Sequence, residues 1–140
     1  MYNPLAAGLF SGKYNSDEVP KDGRFSGPEN SLGSMYRARY FKDASFEALR
    51  IINAVAEKNG LTLVEIALRW LVHHSALNVG PGGQDGVVIG VSHYEHLESN
   101  LRDLGKSPLP EGVLDALDQA WAVTAATEGT YWHGKLEYDY

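Results

Sequence analysis

Apolar residues in the middle of the chain recur at the spacing of a helix. Phe46, Leu49 and Ile52 follow one another at intervals of three residues, and Gly60 ends the pattern. This spacing lines one face of an α-helix, and a glycine at its end is typical of a left-handed C-cap. The pattern predicts an amphipathic helix over residues 45–60.

Capping signals predict three more helices further along the chain. Residues 62–65 read T-x-x-E and residues 92–95 read S-x-x-E, and both boxes can satisfy the free amide groups at the start of a helix. Pro110 is well placed in the first turn of a last helix, because a proline there loses no hydrogen bond. The three predicted helices cover residues 62–74, 92–104 and 110–124.

Two short apolar runs have the character of buried β-strands. They are residues 2–7 (YNPLAA) and residues 86–90 (GVVIG). A continuous apolar run is typical of a strand that is buried on both faces, and strands separated by helices pair in parallel. The sequence therefore predicts an α/β fold with two parallel strands and about four helices. The predicted loops are residues 8–13, 15–30 and 75–86.

A sheet of only two parallel strands leaves unpaired backbone groups along both of its edges. Each such group costs about 1–3 kcal/mol if it is buried without a partner. We therefore expect the sheet to be incomplete within this chain. Further strands, or a second copy of the chain that associates through the open edges, would complete it.

The composition mainly excludes certain classes of protein. The chain has 140 residues, of which 44% are hydrophobic, a formal net charge of -6 and no cysteine. These values are typical of one globular domain, and the acidic balance argues against general binding to nucleic acid. The sequence contains neither an apolar run of membrane-spanning length nor the pattern of a secretory signal. We expect a cytoplasmic protein that binds neither nucleic acid nor membranes.

Some short motifs suggest a phosphate loop or a metal site but lack the required context. The stretch GKS at residues 105–107 follows a helix, whereas a phosphate-binding loop follows a strand and begins with a glycine where this chain has Asn100. His93 and His96 could share one side of a helix, but zinc needs further ligands at suitable spacing. We therefore predict no metal site.

The carboxyl ends of the two predicted strands are the best candidates for a binding site. In parallel α/β folds, ligands bind at these ends, where helix N-termini present free amide groups to an anion. Gly90 would let a ligand approach the backbone closely, and Ser92 either caps its helix, the more ordinary role, or binds a phosphate oxygen. Lys13 and Arg24 add positive charge near the first end. These residues predict a phosphorylated ligand.

Five stretches of the sequence resemble one enzyme family. They are residues 2–14 (YNPLAAGLFSGKY), 35–41 (MYRARYF), 67–74 (ALRWLVHH), 86–92 (GVVIGVS) and 96–101 (HLESNL). In this order and spacing they resemble the C-terminal part of an aldo-keto reductase, in the branch of the aflatoxin-aldehyde reductases. The resemblance implies one partial domain over residues 1–140, equivalent to the seventh and eighth strands of a (β/α)8 TIM barrel with their helices. It also implies NADP(H) as cofactor.

The resemblance assigns cofactor contacts to particular residues of this chain. Tyr2 matches the aromatic residue that stacks on the nicotinamide. The positions that line the pyrophosphate are Asn3, Pro4, Leu5 and Ala6. The loop that closes over the cofactor contributes Ser11, Lys13 and Arg24. The positions around the 2′-phosphate and adenine are Gly90, Ser92, His96 and Asn100.

The resemblance also implies that catalytic groups are absent. The family's catalytic Asp, Tyr, Lys and His belong to early barrel strands, upstream of everything matched in this chain. Hydride transfer to a carbonyl needs a positioned acid that protonates the forming alkoxide. We therefore expect no catalytic residue and little or no activity in the chain alone, which would act on an aldehyde or ketone only when completed by an N-terminal portion. The alternative is a non-catalytic module that binds NADPH or self-associates.

Overall fold

The computed structural model describes residues 1–16 and 18–129. Asp17, which belongs to the predicted loop 15–30, and the tail 130–140, which belongs to the predicted domain, lie outside the described residues. Every helix in the described part is too short or too polar to cross a lipid bilayer. Within this described part, a short 3-10 segment, Ala6–Ser11, precedes five α-helices: α1 (Leu32–Tyr40), α2 (Asp43–Asn59), α3 (Leu63–His73), α4 (Tyr94–Leu104) and α5 (Glu111–Thr124).

Three of the predicted helices are confirmed with nearly the predicted ends. α2 ends at Gly60, whose φ of 62° is left-handed and whose amide donates to the carbonyl oxygens of Ala56 and Glu57. α3 begins after Thr62, and the Thr62 hydroxyl accepts a hydrogen bond of 3.0 Å from the amide of Glu65. α5 follows Pro110, which lies at the N-cap position rather than inside the first turn.

The start of α4 and the existence of α1 differ from the prediction. α4 begins after His93, and no side chain caps its first turn, so the predicted S-x-x-E capping box at Ser92 is wrong. α1 was not predicted at all, although Ser31 caps it by accepting a hydrogen bond of 3.2 Å from the amide of Ser34.

The predicted pair of β-strands is wrong. In residues 1–16 and 18–129 the two apolar runs meet only in one isolated parallel bridge, between Tyr2 and Val88. The amide of Val88 donates to the carbonyl oxygen of Met1 over 2.8 Å, and the Met1 nitrogen donates to the Gly86 carbonyl oxygen over 2.8 Å. The described part of the chain is therefore helical, without a strand or sheet, and does not form the predicted piece of a TIM barrel.

Two observations explain why the strands do not extend. Asn3 has a φ of 55°, so the backbone turns out of the extended conformation immediately after the bridge. Tyr2 and Val88 are 58% and 66% exposed, so no neighbouring layer covers the bridge itself. An apolar run has the propensity for a strand, but only pairing and burial on both sides hold it in a sheet.

Among the described residues, the hydrophobic core consists of two clusters. The larger one joins α2, α3 and α5 through Ile52, Ile66 and Val113, which are at most 4% exposed. The smaller one is aromatic and surrounds the fully buried Phe25, whose ring lies 4.7 Å from those of both Tyr14 and Phe41. This second cluster packs the long loop before α1 against the 3-10 segment.

Candidate functional site

The segment around Asn3 is tied into the fold by its side chain. Nδ2 of Asn3 donates to the Tyr40 hydroxyl over 2.9 Å, and Oδ1 of Asn3 accepts from the backbone amide of Ala7 over 2.6 Å. The main chain after it, at Pro4 and Leu5, is half-buried and enters the 3-10 segment. Asn3 therefore fixes the turn that contains the predicted pyrophosphate positions to the end of α1.

This turn is conformationally strained. Ala6 and Ala7 have φ values of 48° and 59°, in the left-handed region that costs a residue with a side chain about 1–3 kcal/mol. The turn holds its shape through backbone hydrogen bonds, including one of 2.9 Å from the amide of Gly8 to the carbonyl oxygen of Leu5. Strain of this kind is concentrated at functional sites, where the surrounding structure maintains it.

The predicted basic residues lie on an exposed loop that reaches the second apolar run. A Cβ atom placed on Gly90 would lie 3.6 Å from Nη2 of Arg24. The ammonium group of Lys13 lies 5.0 Å from the centre of the Tyr14 ring and is close to Gly23. The structure therefore brings Arg24 and Gly90 together from distant parts of the sequence, with Lys13 on the same loop.

The other predicted site residues are only partly assembled. Tyr2 and Ser11 are exposed, and the bridge to Val88 places Tyr2 beside the run that leads to Gly90. Ser92 is exposed and does not cap α4, so the capping role considered for it is wrong.

α4 itself carries the two remaining predicted residues. His96 is exposed, with its ring 5.4 Å from that of His93, and Asn100 is only 4% exposed. Because they are four positions apart, they lie on the same side of the helix. In the described part of the chain, no group of three or more histidine or acidic side chains could hold a metal ion.

Sequence reasoning missed a set of polar contacts that we call the polar clamp, made by Glu65, Arg69, His73, His74 and Lys106. Arg69 donates from Nε to the carbonyl oxygen of Ser107 over 2.7 Å and from Nη2 to that of Pro108 over 2.8 Å. The ring Nε2 of His73 donates to the carbonyl oxygen of Lys106 over 2.7 Å. The clamp therefore fixes the loop between α4 and α5 to α3.

The clamp also sets the protonation of His74. The amide of Leu109 donates to Nε2 of His74 over 3.0 Å, so this nitrogen carries no proton and the ring is neutral with its proton on Nδ1. Burial, together with the nearby His73 and Arg69, lowers the pKa of His74 below its ordinary value. Protonation of Nε2 would convert this acceptor into a donor that faces another donor.

An ion cluster lies at the centre of the clamp. Glu65 is 5% exposed and Arg69 is 6% exposed, and Nη1 of Arg69 donates to the Glu65 carboxylate over 2.7 Å. Nζ of Lys106 lies 2.9 Å from both Glu65 and Asp103. Burial alone would raise the pKa of Glu65. Lys106 and Arg69 lower this pKa through their hydrogen bonds and charges, and their effect is the larger one, so the pKa of Glu65 lies below its usual value. Hydrogen bonds to Glu65 and Asp103 raise the pKa of Lys106.

One signal in the sequence could have indicated the centre of the clamp. Glu65 and Arg69 are four positions apart with the acid nearer the N-terminus, which is the favourable order for an ion pair on a helix. The partners at residues 106–109 carry no such signal, because they are backbone groups of a distant loop.

A shallow groove lies beside the clamp and includes none of the predicted cofactor residues. Its volume is about 430 Å³, and His73 and Asp85 are the ionisable residues in its lining. The remaining lining residues are Val72, Val79, Gly80, Gly86, Val87 and Leu104. The groove and the residues around Gly90 are therefore separate features of the surface.

The sequence of this chain is similar to those of several known proteins. The sequence profile of the Aldo/keto reductase family matches residues 1–122. An aldo-keto reductase of Pseudocercospora fijiensis is 42% identical over 132 residues, which cover 93% of this chain and 43% of the relative. Aflatoxin B1 aldehyde reductase member 2 of Rattus norvegicus is 39% identical over 131 residues, with 89% and 35% coverage. L-glyceraldehyde 3-phosphate reductase of Escherichia coli is 29% identical over 118 residues, with 84% and 32% coverage. The chain spans less than half the length of each of these relatives.

Proposed function

This chain belongs to the aldo/keto reductase family, and on that premise we propose that it is the cofactor-binding part of an NADP(H)-dependent reductase of aldehydes or ketones. The bound nicotinamide would supply the hydride that reduces the carbonyl carbon. The names of two relatives, an aldehyde reductase and a glyceraldehyde phosphate reductase, support a carbonyl substrate. The family assignment supports the general type of reaction. The residues around Gly90 support the proposal that this chain binds the cofactor.

The approach of Arg24 to Gly90 is the observation that most supports a phosphate-binding role. Gly90 has no side chain, so an anion can approach its backbone, and the Arg24 guanidinium lies beside that opening. A planar guanidinium binds phosphate through paired hydrogen bonds. Lys13 provides a second positive charge on the same loop. This set of groups suits the 2′-phosphate and pyrophosphate of the cofactor.

The remaining predicted residues have binding roles in this proposal. The exposed ring of Tyr2 offers a stacking surface for the nicotinamide, and the strained turn from Asn3 to Ala6 lines the pyrophosphate. His96, which is exposed on α4, contacts the adenosine end, and Asn100 lies buried one turn further along the same helix. None of these side chains matches a group that would protonate the alkoxide. We therefore propose that the chain alone binds the cofactor and has little or no reductase activity, and that it works in the cytoplasm.

Titration with NADPH, followed by tryptophan fluorescence or calorimetry, tests this proposal. A charge-assisted hydrogen bond contributes about 1.5–3 kcal/mol, so Arg24→Met should weaken binding by about tenfold or more. Arg50→Met is the matched control, because Arg50 is 71% exposed on α2 and pairs only with Glu47 among its described ionic partners. The proposal is wrong if the folded wild-type chain does not bind NADPH, or if Arg24→Met binds as tightly as wild type.

Self-association is a second candidate, favoured by the exposure of Tyr2 and Val88. Apolar side chains next to an extended segment are a surface on which a second copy can pair. In this case the chain would be an interaction module and would not need a cofactor. Light scattering after size exclusion would detect a dimer, and Val88→Lys should dissociate it. A strictly monomeric wild-type chain at high concentration would eliminate this candidate.

A further inference from the structure

α4 carries predicted cofactor residues but lies outside the two hydrophobic clusters. Neither hydrophobic cluster includes a residue from this helix, and Asn100 is its one buried residue. Tyr94 and Leu101 on the same helix are 75% and 58% exposed. Leu97 and Leu104 are half-buried, so the burial of apolar surface, which holds most helices in place, is incomplete along α4.

The polar clamp supplies a directional anchor at the C-terminal end of α4. Side chains of α3 and His74 bind four successive backbone groups just beyond that end: the carbonyl oxygens of residues 106, 107 and 108 and the amide of residue 109. Lys106 also connects Asp103, in the last turn of α4, to Glu65 on α3. Directional contacts of this number fix both the position and the rotation of the helix end.

Arg69 makes three of the hydrogen bonds of the clamp. Its Nε, Nη1 and Nη2 groups donate to Ser107, Glu65 and Pro108, all within 2.8 Å. The planar guanidinium presents these donors in fixed directions from three separate nitrogen atoms, whereas a lysine ammonium holds all of its donors on one nitrogen. The geometry of α4 relative to α3 therefore depends on an arginine, not merely on a positive charge.

We propose that Arg69 is a positioning residue of the cofactor site, which holds α4 so that the exposed His96 reaches the adenosine end of the cofactor. The inference rests on the function proposed above and adds to it a residue remote from the ligand. Arg69 is not a catalytic residue and does not contact the cofactor. It acts through the loop at residues 106–109 and through Lys106.

The double variant Glu65→Met with Arg69→Met tests this role without leaving a buried charge unpaired. Exchange of a complete buried ion pair for apolar residues of similar size is often neutral for stability, so the chain should remain folded. Hydrogen–deuterium exchange should then rise by about tenfold across residues 94–104 and stay unchanged in α2 and α5. The proposal is wrong if α4 exchanges as in wild type. Arg50→Met again serves as the control.

Ligand binding provides the readout that a purely structural role would leave unchanged. In the double variant, the affinities for NADPH and for adenosine 2′,5′-bisphosphate should each fall by about tenfold, while that for nicotinamide mononucleotide should not change. Arg69→Lys should recover only part of the lost affinity. Unchanged adenosine bisphosphate binding would overturn the role of Arg69 and leave the proposed function standing. A wild-type chain that binds neither NADPH nor the bisphosphate would overturn both.

Discussion

The two helix pairs of this protein are held together by different forces. α2 and α5 pack through apolar side chains such as Ile52, Ala56 and Val113, whereas α3 holds the end of α4 through the buried Arg69 and its polar partners. Apolar burial is non-directional and independent of pH, and hydrogen-bonded charges are directional and depend on protonation. The comparison indicates that the first pair provides stability and the second provides position.

Arg69→Met should be the most destabilising single change. It would leave the Glu65 carboxylate buried with only Lys106 as a charged partner, and breaking a buried ion pair in this way costs about 3–5 kcal/mol. Chemical denaturation would measure the loss. The double variant with Glu65→Met should regain most of it, and a single variant as stable as wild type would show that the clamp is not a tightly coupled ion pair.

Ile52→Ala tests the apolar pair. Ile52 is 4% exposed, and truncation of a buried isoleucine to alanine costs about 2–5 kcal/mol because it leaves a cavity. The loss in the free energy of unfolding should be the same at pH 8 and pH 5.5, since no ionisable group is involved. Hydrogen exchange in α4 should remain close to wild type after correction for global stability. A selective loss of protection in α4 would contradict the division between the two pairs.

The stability of the two helix pairs should also depend differently on pH. This effect should be smaller and more gradual than those of the substitutions above. The pKa of His74 is lower in the folded chain than the ordinary value of 6.5, so below pH 6.5 the unfolded chain binds more protons. Stability from His74 is therefore complete above this pH and is lost as the pH falls towards the folded pKa. Glu65, whose pKa is lowered from 4.5, adds a loss at more acidic pH.

Substitution of His74 by glutamine isolates this contribution. His74→Gln removes the titrating ring and should flatten the decline in stability between pH 7 and pH 5.5, as measured by denaturation at each pH. Ile52→Ala is the matched control and should keep the wild-type slope. An unchanged slope in His74→Gln would assign the pH dependence to other groups.

The smallest effect is expected for the exposed ion pair of α2. Arg50 and Glu47 form a salt bridge whose side chains are 71% and 47% exposed, and such pairs contribute at most about 1 kcal/mol. Arg50→Met should therefore lower the free energy of unfolding by at most about 1 kcal/mol, as measured by chemical denaturation. A loss comparable to that of Arg69→Met would mean that burial is not what gives the clamp its strength.

Local signals in the sequence were enough to predict most helices. The apolar spacing of α2 and its glycine end, and the Thr62 cap of α3, are properties of neighbouring residues. α1 had a usable signal too, because Leu32, Met35 and Tyr36 follow helical spacing after the Ser31 cap. It was missed because polar residues interrupt the pattern.

Features that depend on distant residues could not be predicted in the same way. The run at residues 86–90 has the composition of a strand, yet pairing and burial decide whether it becomes one. Arg24 and Gly90 were expected near the ends of two paired strands, yet they meet although those strands do not form. The clamp joins side chains to backbone groups of another loop, and a sequence does not indicate which loop that will be.

The bridge between Tyr2 and Val88 also bears on the order of folding. Met1 and Gly86, which share a hydrogen bond beside it, are 85 positions apart in the chain. Closing so long a loop is entropically costly for an unfolded chain and much less costly once the intervening helices have packed. We therefore expect the bridge to form last and to open first. The segment that carries the proposed nicotinamide contact, Tyr2, would then be the last part of the binding surface to be completed.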